Sequence, residues 1–275
     1  MSAAFSVRRP RPDAGIPLVV HVPHAGTAIP DDVRARILLD DAALRAELVA
    51  LTDWHTDALF GPPAAATGAT VVVNHTSRLV VDPERLPGDR EPMARHGMGA
   101  VYTRTHRGLP LRRSDDPAAN QRLVDRFLTP WAEAVDIAVG AALDRFGRCL
   151  LLDGHSFPSQ PFGFEDAGLQ RPDIDLGFTD FHAPRALLTR LRERVRAAGR
   201  STADNTPFAG AYVPLPRFES DPRVQAVMVE VNRGLYLDEA TAERSAGWGA
   251  AATLVSGLVA ESALWVSSER ASGGP

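Results

Sequence analysis

Short apolar runs that alternate with helical segments constrain the fold of this chain more than any other feature of its sequence. Turn residues bound each run, and the runs span Pro17–Val22, Thr70–Val73, Leu79–Val81, Cys149–Leu152 and Ala226–Val231. Short, continuous apolar runs are typical of strands that are buried on both faces. We therefore predict a sheet that is covered by helices on both sides.

Helical patterns fill much of the sequence between these runs. They are residues 33–39 after the cap residues Pro30–Asp32, residues 54–60 after Thr52–Asp53, residues 116–146, Ala183–Ala198 and Glu239–Glu261. Pro130 falls inside the longest pattern and should break or kink that helix. Strands that alternate with helices predict one α/β domain over residues 1–275 with a mostly parallel sheet. Residues 1–15 and 268–275 are expected to be flexible tails.

The composition excludes several classes of function. All 30 basic side chains are Arg, so the chain has no amine for a Schiff-base enzyme, a Walker-A nucleotide binder or a Ser-Lys hydrolase. Cys149 is the only cysteine, which excludes a disulfide framework and fits a reducing cytoplasm. The net charge of −4 argues against nucleic acid as a partner. The apolar runs are judged to be shorter than the ~18 residues of a membrane-spanning helix, so we do not expect a membrane as a partner.

Polar side chains stand at the ends of three apolar runs. His24 and a stretch of small residues follow the first run, Asp153 and His155 follow the fourth, and Glu230 lies within the last. In α/β folds, ligands bind outside the carboxyl ends of the strands. His24 and Asp153 also have ordinary structural interpretations, in a loop and as a turn cap. A carboxylate inside an apolar strand costs several kcal/mol unless it is paired or bound to a metal, so Glu230 is the strongest functional candidate.

A predicted helix start adds three further candidates, Asp53, His55 and Asp57. Their structural alternatives are an N-cap for Asp53 and exposed helix positions for the other two. His, Asp and Glu side chains together suit a zinc hydrolase, in which three ligands hold the ion, water takes the open position and a free carboxylate is the general base. Zinc lowers the pKa of bound water from ~15.7 to ~7, so this chemistry needs no Ser, Cys or Lys nucleophile.

Two arginines are candidates for binding an acidic substrate. Arg78 links two apolar runs, and Arg104 follows a glycine-rich loop. A guanidinium group can hold a carboxylate with two parallel hydrogen bonds, which favours Arg in such a role. The alternative interpretation is that Asp82–Arg85 forms a local ion pair and that Arg104 is solvated. With either arginine in the site, the expected partner is a small acidic molecule.

Seven segments of the chain resemble the N-formylglutamate amidohydrolase family. They read HVPHAGTAIP, LTDWHTDALF, NHTSRLVVDPER, GAVYTRTHRGLPL, LLDGHSF, NTPFAGAYVPLPR and VMVEVNRGLYLDE, and they keep the family's order from residue 21 to about residue 239. The resemblance implies a phosphorylase/hydrolase-like three-layer α/β sandwich with a mostly parallel mixed sheet, as in zinc exopeptidases. It also implies hydrolysis of an N-formyl amide to formate and an amino acid, which is L-glutamate in the members that degrade histidine.

The resemblance further implies roles for individual residues. They are His24, Asp53 and His155 as ligands of Zn²⁺ or another divalent metal, Glu230 as the catalytic carboxylate, and Arg78 on the substrate's carboxylate, with Arg104 and Asn232 also expected to bind substrate. Thr27 stands where carboxypeptidase-type zinc enzymes have a Glu, so His55 and Asp57 compete with Asp53. Two other functions stay open: a zinc amidase for another N-acyl or peptidoglycan-type substrate, and a dicarboxylate-binding protein that holds no metal.

Overall fold

A seven-stranded mixed sheet forms the centre of the fold. The computed structural model describes residues 3–11, 13–86, 88, 91–113, 116–163, 165, 168 and 170–268, so the predicted C-terminal tail lies outside the described residues except for Ser268. The strands of the sheet are β1 (Phe5–Arg8), β2 (Leu18–Val22), β3 (Thr70–Asn74), β4 (Cys149–Phe157), β5 (Ile174–Gly177), β6 (Thr202–Asp204) and β7 (Val224–Asn232). Their spatial order is β1-β3-β2-β4-β7-β5-β6. The four central strands β3, β2, β4 and β7 run parallel, whereas β1 and β5 pair antiparallel with β3 and β7.

Helices cover both faces of this sheet. They are α1 (Asp31–Arg34), α2 (Asp41–Leu51), α3 (Thr56–Thr67), α4 (Pro117–Leu123), α5 (Thr129–Phe146), α6 (Arg185–Ala197) and α7 (Trp248–Ser268). On one face, Val19 and Leu151 pack with the apolar side chains of α5. On the other face, Leu18 and Leu150 pack with those of α3, α6 and α7. The strands are buried from both sides, and the predicted three-layer α/β sandwich is confirmed.

The predicted break at Pro130 takes the form of a π-helical turn. Residues Val124–Leu128 form this turn between α4 and α5, directly before the first turn of α5, in which Pro130 lies. The missing N–H of Pro130 is tolerated there because the first turn of a helix needs no donor at that position. The predicted start of the segment is confirmed by Asp116, whose side chain accepts a hydrogen bond from the N–H of Ala119 at 2.8 Å.

The predicted strand Leu79–Val81 is wrong. These residues form a buried turn, and the guanidinium group of Arg112 donates to the carbonyl groups of Leu79 and Val80. Buried backbone groups need hydrogen-bond partners, and here a side chain supplies them in place of a neighbouring strand. An apolar run therefore stays buried without joining the sheet.

Two other segments differ from the sequence-based expectations. Phe5–Arg8 lies in the predicted N-terminal tail but forms β1, because Phe5 packs edge-on against Trp131 at 5.8 Å between ring centroids. The predicted helix Glu239–Glu261 begins later, at Trp248. The residues before it form a small hairpin of β8 (Leu237–Asp238) and β9 (Glu243–Arg244).

Helix α7 is more apolar than the sequence analysis expected. It has 21 residues and, by length and hydropathy alone, is able to span a membrane. However, 56% of its most apolar 18-residue window is buried inside the protein. The helix packs against α3 and α6 and contributes Val255, Leu258 and Val259 to the main core.

Candidate metal centre

The carboxyl ends of β2 and β4 direct polar side chains to the same face of the sheet. Side chains alternate between the two faces along a strand, so His21 follows Val19, and Asp153 and His155 follow Leu151, on the face that α5 covers. His21 and Asp153 are register partners in the β2–β4 pair. The ring of His21 also lies 5.1 Å from that of Trp131, in the first turn of α5, so this polar layer lies at the N-terminal end of α5.

Glu230 joins the same layer from β7. It is the register partner of His155 in the β4–β7 pair, so the two side chains point to one face. Burial raises the pKa of Glu230 to about 8, and the negative charges of Asp53 and Asp175 act in the same direction. Its Oε2 atom is buried and has no hydrogen-bond partner among the described residues. Within the described residues, this oxygen has no structural partner that explains a carboxyl group in an apolar strand.

His24 reaches this layer from the turn that follows β2. Gly26 lets the turn pack on the residues after β3, since a Cβ atom at Gly26 would lie 2.3 Å from the carbonyl carbon of His75. The side-chain amide of Asn74 donates to the carbonyl oxygen of Pro23 at 2.8 Å. The small residues after His24 thus let this turn lie close to the backbone after β3. This contact fixes the position of the His24 imidazole.

Asp53 stands between α2 and α3 and is tied to the same turn. Its N–H donates to the carbonyl oxygen of His24 at 3.0 Å. Arg233 donates through Nη2 to Asp53 Oδ1 at 2.8 Å, and the N–H of Ser156 donates to Oδ2 at 3.2 Å. The N-cap of α3 is His55, with φ of 63°, and not Asp53. The carboxylate of Asp53 is therefore free of the capping role and lies inside the polar layer.

Three atoms of these side chains converge on one point. Nδ1 of His24 lies 3.3 Å from Nδ1 of His155. Asp53 Oδ2 lies 3.2 Å from Nδ1 of His155 and 3.8 Å from Nδ1 of His24. Atoms bound to a tetrahedral zinc ion at about 2.0–2.2 Å are about 3.3–3.6 Å apart. The three donors thus fit a shared divalent cation, and all three residues are buried.

Buried carboxylates bind the other nitrogen of each imidazole. His24 Nε2 lies 2.9 Å from Asp82 Oδ1, and His155 Nε2 lies 2.9 Å from Asp153 Oδ1. A carboxylate at the far nitrogen accepts a hydrogen bond from its N–H, which orients the imidazole and leaves the lone pair of Nδ1 for a metal ion, as in histidine ligands of metal ions. Both histidines have this arrangement, which is the second observation in favour of a metal.

Arginines keep the buried carboxylates ionised. Burial alone would raise the pKa of Asp53, but the hydrogen bond with His155 and the charge of Arg233 outweigh it and hold that pKa below its ordinary value. Burial likewise opposes ionisation of Asp82, and the charge of Arg78 outweighs it, so the pKa of Asp82 is well below its usual range. These carboxylates are negative at neutral pH and favour a bound cation.

The ring of His155 is strongly basic in this environment. Burial opposes its charged form, but the charges of Asp153 and Glu84 outweigh burial and hold the pKa of His155 well above its ordinary value. A metal ion binds the neutral imidazole and therefore replaces a proton.

Glu84 is the residue of this layer that the sequence analysis missed. Its Oε1 lies 3.3 Å from Nε2 of His155 and 3.5 Å from Nδ1 of His21, and its Oε2 lies 3.7 Å from Nδ1 of His24. The sequence analysis gave Asp82–Arg85 only as a local ion pair, and Arg85 does lie 3.7 Å from Asp82. The sequence does offer one indication: Asp82, two residues before Glu84, directly follows an apolar run, and polar residues of a site are expected at that position.

The guanidinium group of Arg78 already has hydrogen-bond partners within the protein. It donates through Nε and Nη2 to Asp82 Oδ2 at 3.1 and 2.6 Å, and Tyr102 donates its hydroxyl to the same oxygen at 2.5 Å. The Nη1 atom of Arg78 lies 4.0 Å from Asp53 Oδ1. The guanidinium group therefore borders the proposed ligands, and its role in substrate binding stays a prediction.

The other two predicted substrate-binding residues have local hydrogen bonds. Arg104 is exposed and donates to the carbonyl oxygen of Gly108 at 2.8 Å. Asn232 donates to the carbonyl oxygen of Pro172 at 3.1 Å and accepts from the N–H of Gly234 at 3.0 Å. These contacts stabilise turns, and the assignment of both residues to the substrate stays a prediction.

His55 and Asp57, the two alternatives to Asp53 as a metal ligand, face other groups. Nε2 of His55 lies 3.2 Å from the carbonyl oxygen of Ala242, and Asp57 is exposed on α3. Asp53 alone of the three has a carboxylate or ring atom within 4 Å of both Nδ1 atoms in the described contacts. The geometry therefore favours Asp53 as the acidic ligand.

This chain is similar to a known family, to two bacterial enzymes and to a solved crystal structure. The family model described as N-formylglutamate amidohydrolase matches residues 16–237. The N-formylglutamate deformylase of Pseudomonas aeruginosa is 32% identical over 247 residues, which cover 87% of each protein. That of Pseudomonas putida is 29% identical over 232 residues, covering 82% of this chain and 83% of the relative. The crystal structure of N-formylglutamate amidohydrolase from Ralstonia eutropha has the same fold, with a TM-score of 0.82, 24% identity and coverage of 97% and 99% of the two chains.

Proposed function

The chain belongs to the N-formylglutamate amidohydrolase family, and from this premise we propose that it hydrolyses the formyl amide bond of an N-formyl amino acid, with N-formyl-L-glutamate as the preferred substrate. The products are formate and the free amino acid. The observation that carries the proposal is the convergence of the two Nδ1 atoms and Asp53 Oδ2. A dicarboxylate-binding protein would not need this arrangement.

His24, Asp53 and His155 are the residues that would hold the metal, which we propose to be Zn²⁺. When bound, such an ion polarises the amide carbonyl and lowers the pKa of water to ~7. Asp82 and Asp153 keep both imidazoles oriented toward the ion through their Nε2 atoms. Arg233 holds Asp53 Oδ1, so that Oδ2 is the oxygen that faces the two histidines.

Glu230 is the proposed general base and acid. Its carboxylate accepts a proton from water as the water oxygen attacks the formyl carbon. It then gives this proton to the amide nitrogen as the carbon–nitrogen bond breaks, which releases formate and the amino group of the product. A pKa of about 8 suits both steps, because a group that titrates near the working pH accepts and donates protons readily.

Formate release that depends on a metal is the test of this function. We expect the purified chain to release formate from N-formyl-L-glutamate, to lose this activity after dialysis against a chelator, and to regain it when Zn²⁺ is added. Formate is measured directly, with N-acetyl-L-glutamate and a muramoyl peptide as comparison substrates. Activity that survives the chelator would contradict the metal, and a preference for an N-acyl comparison substrate would contradict the formyl group.

Arg78 is the proposed partner of the substrate's carboxylate, and Arg78→Lys tests it. Lysine keeps the positive charge beside Asp82 but loses the two-pronged geometry. Because a hydrogen bond between charged groups contributes roughly 1.5–3 kcal/mol, KM for N-formyl-L-glutamate is expected to rise by about tenfold or more. The control is an N-formyl amine without a carboxylate, whose KM should not change. An equal loss for both substrates would show that Arg78 acts only by holding Asp82.

A further inference from the structure

We propose that Glu84 is a fourth protein ligand of the metal, so that the ion that works in this protein is at least five-coordinate. This inference rests on the proposed function, because it concerns the same ion. Tetrahedral catalytic zinc sites have three protein ligands and one open position. A fourth protein ligand leaves room for water or substrate only if the coordination number rises.

Glu84 approaches the donor nitrogen of His24 as closely as Asp53 does. Glu84 Oε2 lies 3.7 Å from Nδ1 of His24, and Asp53 Oδ2 lies 3.8 Å from the same nitrogen. Two carboxylate oxygens thus approach one imidazole donor at nearly the same distance. Both separations are slightly longer than the ~3.3–3.6 Å between neighbouring zinc ligands, so a small movement of either carboxylate brings its oxygen to the cation.

A backbone hydrogen bond ties Glu84 to the same carboxylate that binds His24. The N–H of Glu84 donates to Asp82 Oδ1 at 3.2 Å, and His24 Nε2 binds the same oxygen at 2.9 Å. One buried carboxylate therefore fixes both the imidazole and the turn that carries Glu84. The placement of Glu84 does not depend on a long, unanchored loop.

Glu84 lacks the partners that a structural carboxylate has. Asp53 pairs with Arg233 and Asp82 with Arg78, whereas the described part of the chain pairs Glu84 only with imidazoles. Its Oε1 is buried without a hydrogen-bond partner among these residues.

The ring N–H groups of His155 and His21 have a nearer hydrogen-bond acceptor than Glu84. Nε2 of His155 and Nδ1 of His21 lie 2.9 and 2.7 Å from Asp153 Oδ1, closer than either lies to Glu84. A buried carboxylate without a donor is unfavourable. A divalent cation would supply the missing charge.

Solvent reaches Glu84 more than the other donors. Its side chain is 18% exposed, against 3% for Asp53 and 4% for His24. Glu84 therefore lies on the more solvent-accessible side of the proposed centre.

Co²⁺ binding to the metal-depleted full-length chain tests this proposal without substrate. Four-coordinate Co²⁺ absorbs visible light much more strongly than five- or six-coordinate Co²⁺. We expect a weak spectrum for the wild type and a stronger one for Glu84→Gln. We also expect Co²⁺ affinity, measured by competition with a chromophoric chelator, to fall by about 10- to 100-fold or more, since outer partners of metal ligands alone have effects of this size.

Three further variants make the result specific. Glu133→Gln removes an exposed charge on α5 and should leave both readouts unchanged. Glu84→Asp keeps a carboxylate and should retain more Co²⁺ affinity than Glu84→Gln. His24→Ala should lower Co²⁺ affinity by more than Glu84→Gln does. Melting temperatures of the metal-depleted variants show whether each is folded.

The outcomes separate this proposal from the proposed function. If His24→Ala loses Co²⁺ affinity while Glu84→Gln keeps the wild-type affinity or spectrum, the ligand role of Glu84 is overturned and the metal centre stands. An intense, four-coordinate spectrum in the wild type also overturns it. If the wild type binds no Co²⁺, both fail.

Discussion

Replacing His155 by Ala is expected to abolish metal binding and formate release together. The substitution removes the Nδ1 atom that lies 3.3 Å from the donor nitrogen of His24 and 3.2 Å from the donor oxygen of Asp53. His24 would then be the one imidazole left among the proposed donors, and a site that has lost one of its two histidines holds the ion far more weakly. Without the ion the pKa of water returns to ~15.7, so kcat/KM should fall by about 1,000-fold or more. Elemental analysis of protein purified without chelator, together with the formate assay, measures both effects.

His75→Ala is the matched control for this experiment. His75 is partly buried, and its Nε2 lies 3.0 Å from Ser6 Oγ, away from the proposed ligands. It should keep about one metal ion per chain and the wild-type rate. Because His155 is buried, its loss also affects stability, so Asp53→Asn serves as an isosteric second variant. A stoichiometric metal content in both His155→Ala and Asp53→Asn would contradict the proposed ligand set.

The sequence predicts the site best where a polar residue interrupts an apolar strand. His155 and Glu230 stand in β4 and β7, where alternation and parallel pairing bring them to one face and to neighbouring positions. Asp53 is harder to predict, because the helix start offers three acidic or histidine side chains at similar spacing. The contact that favours Asp53 is the hydrogen bond from its N–H to the carbonyl oxygen of His24. That contact is tertiary and has no local sequence signal.

Glu84 illustrates the limit of local interpretation. Asp82 and Glu84 lie close to Arg78 and Arg85 in the sequence, so charge pairing within the segment is the natural expectation, and it is partly correct. Their contacts with His24, however, join residues about 60 positions apart. The turn that carries them is buried because Arg112 satisfies its backbone, a contact that no pattern in the segment predicts. The run Leu79–Val81 is therefore buried, as its apolar residues predict, but it does not form the predicted strand.

The same reasoning explains which parts of the fold were predicted. Strand β4 is buried along all nine residues, and the apolar run Cys149–Leu152 predicts its first four. The edge strands β1 and β6 are only partly buried, so their sequences lack such a run. The sequence predicts the centre of this sheet because burial there dominates residue choice. At the edges, pairing with a neighbour dominates.

Glu230→Gln is expected to lower kcat by two or more orders of magnitude while the metal content stays unchanged. Glutamine keeps the size of the side chain but cannot accept the proton of water, and a positioned acid–base group contributes about 10²- to 10⁴-fold. No contact of Glu230 with the donor atoms of His24, Asp53 or His155 is present in the described residues, which is why metal binding should persist. KM should change little, because the proposed role lies in proton transfer and not in substrate binding.

The comparison of Glu230→Gln with Glu133→Gln separates loss of a proton acceptor from loss of a charge. Glu133 is exposed on α5, so its neutralisation should leave kcat, KM and metal content at wild-type values. Glu230 is buried, its pKa is raised to about 8 mainly by burial, and its Oε2 has no partner among the described residues. Replacing it by neutral glutamine should therefore not weaken the fold, since the raised pKa shows that the protein disfavours the charged form of this group. A fully active Glu230→Gln variant would remove Glu230 from the mechanism, and a metal-free one would make it a ligand.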